Sequence, residues 1–250
     1  MARYTGPKVR LSRRLNTNLF ENEKGRKALE RRPFPPGQHG RTRRRSAGSE
    51  YLAQLQEKQK AKYIYGVLER QFRKTYDEAN RLQGPTGENL LRLLELRLDN
   101  VVFRAGFAST RPQARQFVSH GLILVNGKRL DIPSARVKKG DVITLAIKAQ
   151  EMIVIQHNVD TLDRSLVGWL EGADGGKQVT VRNEPARENI DVPVREQLIV
   201  ELTLSNSTTP TNGRDKCSSS NAPQSKQSAN QKITVRVFLS VLSNLVSATP

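Results

Sequence analysis

Arg111 and Arg115, four residues apart, are followed by His120 and then by Lys128-Arg129, and this set holds the side chains best suited to grip a ligand. Arginine fits that work because its planar fork pairs with phosphate oxygens in two places and also stacks on bases. A spacing of four puts Arg111 and Arg115 on one helical face. His120 falls near the end of the same helix, close to the Lys128-Arg129 pair. From Arg97 to Lys139 there are nine Lys/Arg against two acids. Such an excess either holds a polyanion or is an ordinary solvated face, and charge alone does not choose between them. Nucleophilic and metal chemistry lack material: His39, His120 and His157 are far apart in sequence. Cys217 is the single cysteine, which excludes an intrachain disulfide and a cysteine-based zinc site.

The elements that must carry these side chains are legible around them. Leu90, Leu94, Leu98, Val101 and Ala105 recur at three- and four-residue spacing, which predicts one helix ending at Gly106. Ser109 or Thr110 can cap a second helix, with Pro112 in its first turn, Ala114, Phe117 and Val118 facing a core, and Gly121 ending it. Leu122 to Val125 is a short apolar run. Asn126-Gly127 then signals a tight hairpin that returns through Lys128-Arg129-Leu130. A turn at Lys139-Gly140-Asp141 leads into Val142 to Leu145, expected as the last strand of this group.

The order of an Arg-x-x-Ala-Arg helix, Ser119-His120-Gly121, an apolar strand, Val125-Asn126-Gly127-Lys128, Ile132-Pro133-Ser134 and Lys139-Gly140-Asp141 resembles the S4-type RNA-binding domain. That resemblance implies RNA binding and leaves the host protein open.

Charge is unevenly spread along the 250 residues. The formal net charge of +18 points to a polyanionic partner, and residues 1–48 hold fourteen Lys/Arg and three acids. Residues 150–202 reverse the sign, with ten acids and five bases, so this part is expected to face away from RNA or toward a basic protein. The cluster from Arg32 to Gly40 contains Pro33, Pro35 and Pro36. Prolines remove backbone donors and impose an extended path, so residues 1–48 read as a basic arm ordered by its partner or, by composition alone, as a disordered localisation or solubility tail. Neither a signal peptide nor a run of about 20 apolar residues is present, so a soluble chain with no membrane association is expected.

Further motifs narrow the host. Met1-Ala2-Arg3-Tyr4-Thr5-Gly6-Pro7, Ser12-Arg13-Arg14-Leu15 and Pro35-Pro36-Gly37-Gln38-His39-Gly40 are similar to the N-terminal region of the bacterial ribosomal protein S4 family. So are the Tyr51 to Lys60 run, Tyr65-Gly66-Val67 and Glu69-Arg70-Gln71-Phe72. Some members of that family bind zinc through N-terminal cysteines, and this chain, having none there, resembles the zinc-free branch, for which no metal or cofactor is implied. Residues 49–82 read as helices, with Ser49 as a cap, Leu52 and Leu55 on one apolar edge, Leu68, Phe72 and Tyr76 on another, and a break at Tyr65-Gly66. Lys58, Lys60, Lys62, Arg70, Arg73 and Lys74 line the polar sides, either contacting RNA or solvated. Gln83 to Gly87 is a loop.

After Leu145, Met152 to Ile155 reads as a strand, Trp169 as a partly buried anchor, and Ala173 to Gly176 as a turn before Val179-Thr180-Val181. Ile190 to Glu201 again matches the family, where a short terminal helix packs on the early helical domain, with Pro193 in its first turn. From Thr203 the resemblance stops. Residues 203–231 are rich in Ser, Thr, Asn, Gln and Pro and are expected to be disordered; residues 233–246 are apolar and carry no assignable role.

The expected architecture is therefore α+β: a basic extended arm (1–48), a helical domain (49–93, completed by 190–202), an inserted S4-type module with two helices and a small, mostly antiparallel sheet (94–189), and an extension (203–250). The resemblance implies a non-enzymatic constituent of the small ribosomal subunit that binds 16S ribosomal RNA and nucleates assembly of the subunit body. It further implies contact with ribosomal protein S5 and, with S5 and S12, an influence on translational accuracy. A homo-oligomer is not expected, and the compartment is the cytoplasm or an organelle. RNA-contact candidates are Arg3, Lys8, Arg10, Arg13, Arg14, Arg43, Arg44 and Arg45 in the arm, with Arg111, Arg115, His120, Lys128 and Arg129 in the module. An enzymatic alternative, a pseudouridine synthase, shares the module, and Arg97-Leu98-Asp99 resembles the Arg-Leu-Asp of such active sites. It sits inside the module's first helix, however, where Asp99 is expected to make a local polar contact, and residues 150–202 are too few for a catalytic domain. Small stress-type RNA binders also share the module but lack the arm and the returning terminal segment.

Overall fold

Two hydrophobic cores meet where the spacing predicts one apolar helical stripe. Leu90, Leu91 and Leu94 belong to the first core, and Leu98, Val101 and Val102 to the second. The computed structural model describes residues 4–41, 49–161, 166–173 and 176–208. In it the stripe is broken into α5 (Thr86–Glu95) and α6 (Leu98–Arg104). Leu96 and Arg97 lie between them because their backbone is used sideways: Val137 N–H donates to Leu96 O at 2.9 Å, Leu98 N–H to Ala135 O at 2.8 Å, and Arg97 bridges Arg136. Apolar spacing continues in register across this break, so periodicity could not reveal it.

The first core is helical. The basic arm is not simply extended: it contains α1 (Lys8–Leu15) and α2 (Glu23–Arg31), and Leu15 and Leu19 are buried against the following helices. These are α3 (Glu50–Ile64), capped by Ser49 Oγ, and α4 (Glu69–Ala79). The inward side of α3 is Glu57, Ala61 and Ile64, whereas Leu52 is exposed. On α4, Phe72 and Tyr76 are buried, while Leu68 at its N-cap is exposed. The α3 helix ends at Tyr65 and Gly66, whose φ of +63° suits glycine. Asn89 of α5 donates back to Gln83 O at 3.1 Å, tying down the loop before its helix.

The core is closed by Ile190, Val192, Val194 and Ile199. The last helix, α10 (Glu196–Thr208), starts after Pro193, not at it, and runs past residue 203. Its first turn presses on α5 so closely that a Cβ at Gly87 would lie 2.7 Å from Glu196 Cγ. Residues 203–208 are helical, which corrects the expectation of disorder over 203–231 for its first six residues; the rest of that stretch and the apolar 233–246 segment lie outside the described residues.

The second core lies between α6, α7 (Arg111–Ser119) and a five-stranded antiparallel sheet. Its strands are β1 (Ile123–Val125), β2 (Lys128–Arg129), β3 (Val142–Leu145), β4 (Leu170–Ala173) and β5 (Gln178–Val181), in the order β2-β1-β3-β5-β4. Val142 to Leu145 is thus the central strand rather than the last: β5 pairs with its open edge, Ile143 opposite Val179. Alternation in β3 and β5 buries Ile143, Leu145, Val179 and Val181 on one face. Trp169 is fully buried, not partly.

Met152 to Ile155 forms no strand. Between β3 and β4 lie α8 (Ile147–Gln150) and α9 (Ile153–Thr161), where only Ile155 of the run is buried and Asn158, one turn on, donates to Phe107 O at 3.1 Å. A four-residue apolar run is compatible with either element, and helical burial won here. No helix among the described residues is long and apolar enough to cross a membrane.

Candidate nucleic-acid interface

One end of the module is built to display cations. Thr110 is the N-cap of α7 with an extended backbone but makes no side-chain cap bond; instead Gln113 accepts from Ser109 N–H at 2.9 Å and Ser109 Oγ at 2.6 Å. The helix ends at His120 and turns at Gly121, with φ of +68°. The Arg129 guanidinium lies over that glycine, donating to His120 O at 3.5 Å, and a Cβ at 121 would fall 2.0 Å from Arg129 Nε. Asn126 and Gly127, with φ of 51° and 76°, form the tight turn that their types predict. The Asn126 amide also joins Asp141 Oδ1 and Val142 N–H, both at 2.9 Å, which fastens the hairpin tip to the Lys139-Gly140-Asp141 turn. His120, Lys128 and Arg129 are thereby brought together, and all three are exposed.

Arg111 takes the opposite position. It is buried, with Nε donating to Asn100 Oδ1 and Nη1 to Glu21 Oε1, each at 2.9 Å, and it stacks 4.4 Å from the centroid of Phe103. Asn100 passes the network to Glu95, which also receives two bonds from Arg104 and one from Tyr65 Oη at 2.7 Å. Burial, and then the Glu95 charge, push the Tyr65 phenol well above its ordinary value of 10.0. Burial acts to lower the Arg104 guanidinium, but Glu95 outweighs it and raises the value. These groups come from the end of α3, from α5, α6 and α7, and from the turn before α2, so Arg111 fastens the two cores to each other. Its sequence spacing with Arg115 gave no sign of this. Arg115 is partly exposed on the same helix and donates to Gly66 O at 3.3 Å.

The Arg97-Asp99 pair is likewise internal: Arg97 Nη2 lies 2.8 Å from Asp99 Oδ2 and both side chains are buried, the local polar contact expected of Asp99. Arg136 forks onto Glu78 across the seam between the cores and holds that carboxyl below its ordinary value of 4.5.

On α1, Arg10 and Arg14 are exposed, whereas Arg13 is a clamp. Its guanidinium donates to Arg32 O, Phe34 O and Pro35 O and lies 5.1 Å from the Phe34 ring centroid, so it folds the proline cluster back onto the helix. Lys8 sits 5.5 Å from the Phe20 centroid. Lys8, Arg111 and Arg115 share the lining of one cleft of about 720 Å³ with Tyr4, Tyr63 and Lys62. The lysines on α3 are paired rather than simply solvated: Lys58 and Lys62 share Glu69, and Lys60 pairs with Glu57. Burial works to raise Glu69, but the hydrogen bonds from Lys58 and Lys62 prevail and lower it. The aromatic lining was missed because Tyr4, Phe20 and Tyr63 have no common spacing. Arg3, Arg43, Arg44 and Arg45 lie outside the described residues. Among those described, no cluster of three or more His, Cys, Asp and Glu could hold a metal.

Residues 3–95 match the family description "Ribosomal protein S4/S9 N-terminal domain", and residues 96–143 match "S4 domain". The boundary falls at the break between α5 and α6. Over 202 residues the chain is 57% identical to the small ribosomal subunit protein uS4 of Nocardia farcinica, covering 80% of this chain and 98% of that protein. It is 56% identical over 202 residues to uS4 of Rhodococcus opacus, with the same coverage, and 56% over 203 residues to uS4 of Corynebacterium aurimucosum, covering 81% and 98%.

Proposed function

The chain belongs to the uS4 family of small ribosomal subunit proteins, structural components that bind ribosomal RNA, and from that premise we propose that it binds 16S ribosomal RNA and nucleates assembly of the subunit body. The observation that carries the reading is the match over 98% of a uS4 protein's length. The exposed His120, Lys128 and Arg129 support it, because the deep groove of an RNA duplex is closed to side chains and recognition proceeds through phosphates, 2′-hydroxyls and shape.

In this reading Lys8, Arg10, Arg14, Arg115, His120, Lys128 and Arg129 contact RNA, joined by Arg3 and Arg43 to Arg45. Arg13 and Arg111 act indirectly, one shaping the arm and the other joining the cores. The division into arm, helical domain, inserted module and extension belongs to the same proposal, as do contact with ribosomal protein S5 and an influence on decoding with S5 and S12. The acidic balance of residues 150–202 is suited to a basic protein neighbour.

The test is binding of the full chain to the 5′ domain of 16S ribosomal RNA and to a scrambled-structure RNA of equal length across a salt series. Preference for the 5′ domain that persists as salt rises is expected. Equal binding to both, lost together with rising salt, would reduce the interaction to counterion release and overturn the reading.

A further inference from the structure

The cleft between the N-terminal segment and α7 offers more than charge. Its volume of about 720 Å³ falls within the range of sites that take a small organic molecule. Aromatic rings form its walls: Tyr4 and Tyr63 meet edge to face with centroids 5.4 Å apart, and Phe20 lines the same space. Tyr4 keeps 38% of its surface open. Gly6 allows its ring to fold in, since a Cβ there would stand 2.5 Å from Tyr4 Oη.

Cations rim this aromatic wall. Lys8, Lys62 and Arg115 line the cleft, and Asp99, the one acid among its described lining residues, is already engaged by Arg97. Lys62 shares a single carboxylate, Glu69, with Lys58, which leaves that group of three positive. Aromatic faces beside cations suit a base attached to its phosphate, because stacking tolerates any base and the charges hold the backbone.

We propose that the cleft receives one unpaired RNA nucleotide swung out of its stack, with the base against Tyr4 and Tyr63 and the phosphate on the rim of Lys8, Lys62 and Arg115. This inference rests on the RNA-binding function proposed for the whole chain. A paired base cannot enter, because its faces are covered within the duplex. The cleft would therefore read a strand distortion, in contrast to the duplex backbone contacts of Lys128 and Arg129.

The test monitors the ring resonances of isotopically labelled tyrosines in the full chain during titration with an adenosine trinucleotide and, separately, a short RNA duplex. The Tyr4 and Tyr63 signals are expected to move upfield with the trinucleotide and to stay in place with the duplex. In parallel, Tyr63→Leu and Tyr4→Leu are each expected to weaken binding to the 5′ domain of 16S ribosomal RNA about tenfold while leaving duplex affinity unchanged. Tyr63→Leu keeps the apolar contact and its folding is checked by thermal melting; Tyr4, near the start of the chain, provides the second variant should Tyr63→Leu not fold. If the wild type prefers the 5′ domain but the tyrosine variants bind it equally well, the nucleotide site is overturned and the proposed 16S ribosomal RNA binding stands. If the wild type shows no preference, the proposed 16S ribosomal RNA binding fails, and the trinucleotide titration alone decides the cleft: unmoved tyrosine signals overturn it.

Discussion

The network around Glu95 and the hairpin end at Lys128-Arg129 use the same residue types for opposite purposes. In the first, Arg111 is buried and the Arg104 side chain is 11% exposed, their charge is met by Glu95 and Glu21, and Asn100 and Tyr65 join the same network. In the second, Lys128 and Arg129 stand exposed on a two-residue strand, and the Arg129 guanidinium donates to the end of its own module's helix. A buried cation must be matched because taking it from water costs several kcal/mol. An exposed one keeps its hydration until a phosphate displaces it. The contrast separates arginines that hold the fold together from the exposed cations proposed to contact RNA.

The sharpest way to break this contrast is to remove the anion at its centre. Glu95→Ala strands Arg104, Asn100 and Tyr65 at once in a site that is 1% exposed, and a loss of about 3–5 kcal/mol is expected in urea unfolding. A loss under about 1 kcal/mol would mean that water enters and replaces the carboxylate, and the two regions would then differ little.

Tyr65 supplies a pH version of the same test. Its phenol is raised above 10.0 in the folded chain, so the folded state favours the neutral form while the unfolded chain ionises normally. The stability this provides is complete below about pH 10 and is lost as pH rises through the higher folded value, by up to about 1.4 kcal/mol for each pH unit. Tyr65→Phe should remove that share of the alkaline slope. An unchanged slope would place the alkaline sensitivity elsewhere.

Arg111→Met sharpens the comparison within one helix. It keeps much of the volume against Phe103 but leaves Asn100 Oδ1 without its donor, and about 1–3 kcal/mol should be lost. The exposed half of the pair, Glu21, can rehydrate because 40% of its side chain is open, which keeps the cost below that of Glu95→Ala. Thermal melting distinguishes these magnitudes.

Legibility in the sequence divides along the same line. The hairpin was readable because Asn126-Gly127 is a local signal and its conformation is local too. Helix α7 was readable from its stripe of Ala114, Phe117 and Val118 and its closing Gly121. The break at Leu96-Arg97 was not, since it depends on backbone bonds to residues 135 and 137, about 40 positions away. The second edge of β3 was hidden for the same reason: its partner β5 lies beyond two helices. Among the candidate RNA residues, charge and spacing identified the exposed set but could not sort Arg111 from Arg115. That sorting depends on Glu21 reaching across from 90 positions upstream. The folded arm was missed because its prolines were visible locally and the burial of Leu15 and Leu19 was not.

The smallest effect on stability should coincide with the largest difference between the regions. Lys128→Ala with Arg129→Ala removes two exposed cations, and the internal side-chain bond lost with them is the 3.5 Å contact to His120 O, so stability should change by no more than about 0.5 kcal/mol. Binding to the 5′ domain of 16S ribosomal RNA should nevertheless weaken, and the slope of log affinity against log salt should fall by about two, one for each lost phosphate contact. Removal of Gly121's cover is neutral because that glycine's left-handed backbone does not depend on Arg129. An unchanged salt slope with unchanged stability would show that these side chains are only solvated. The cationic end would then be as uninvolved in RNA contact as the Glu95 network, and the burden of recognition would move to α1 and the cleft beside it.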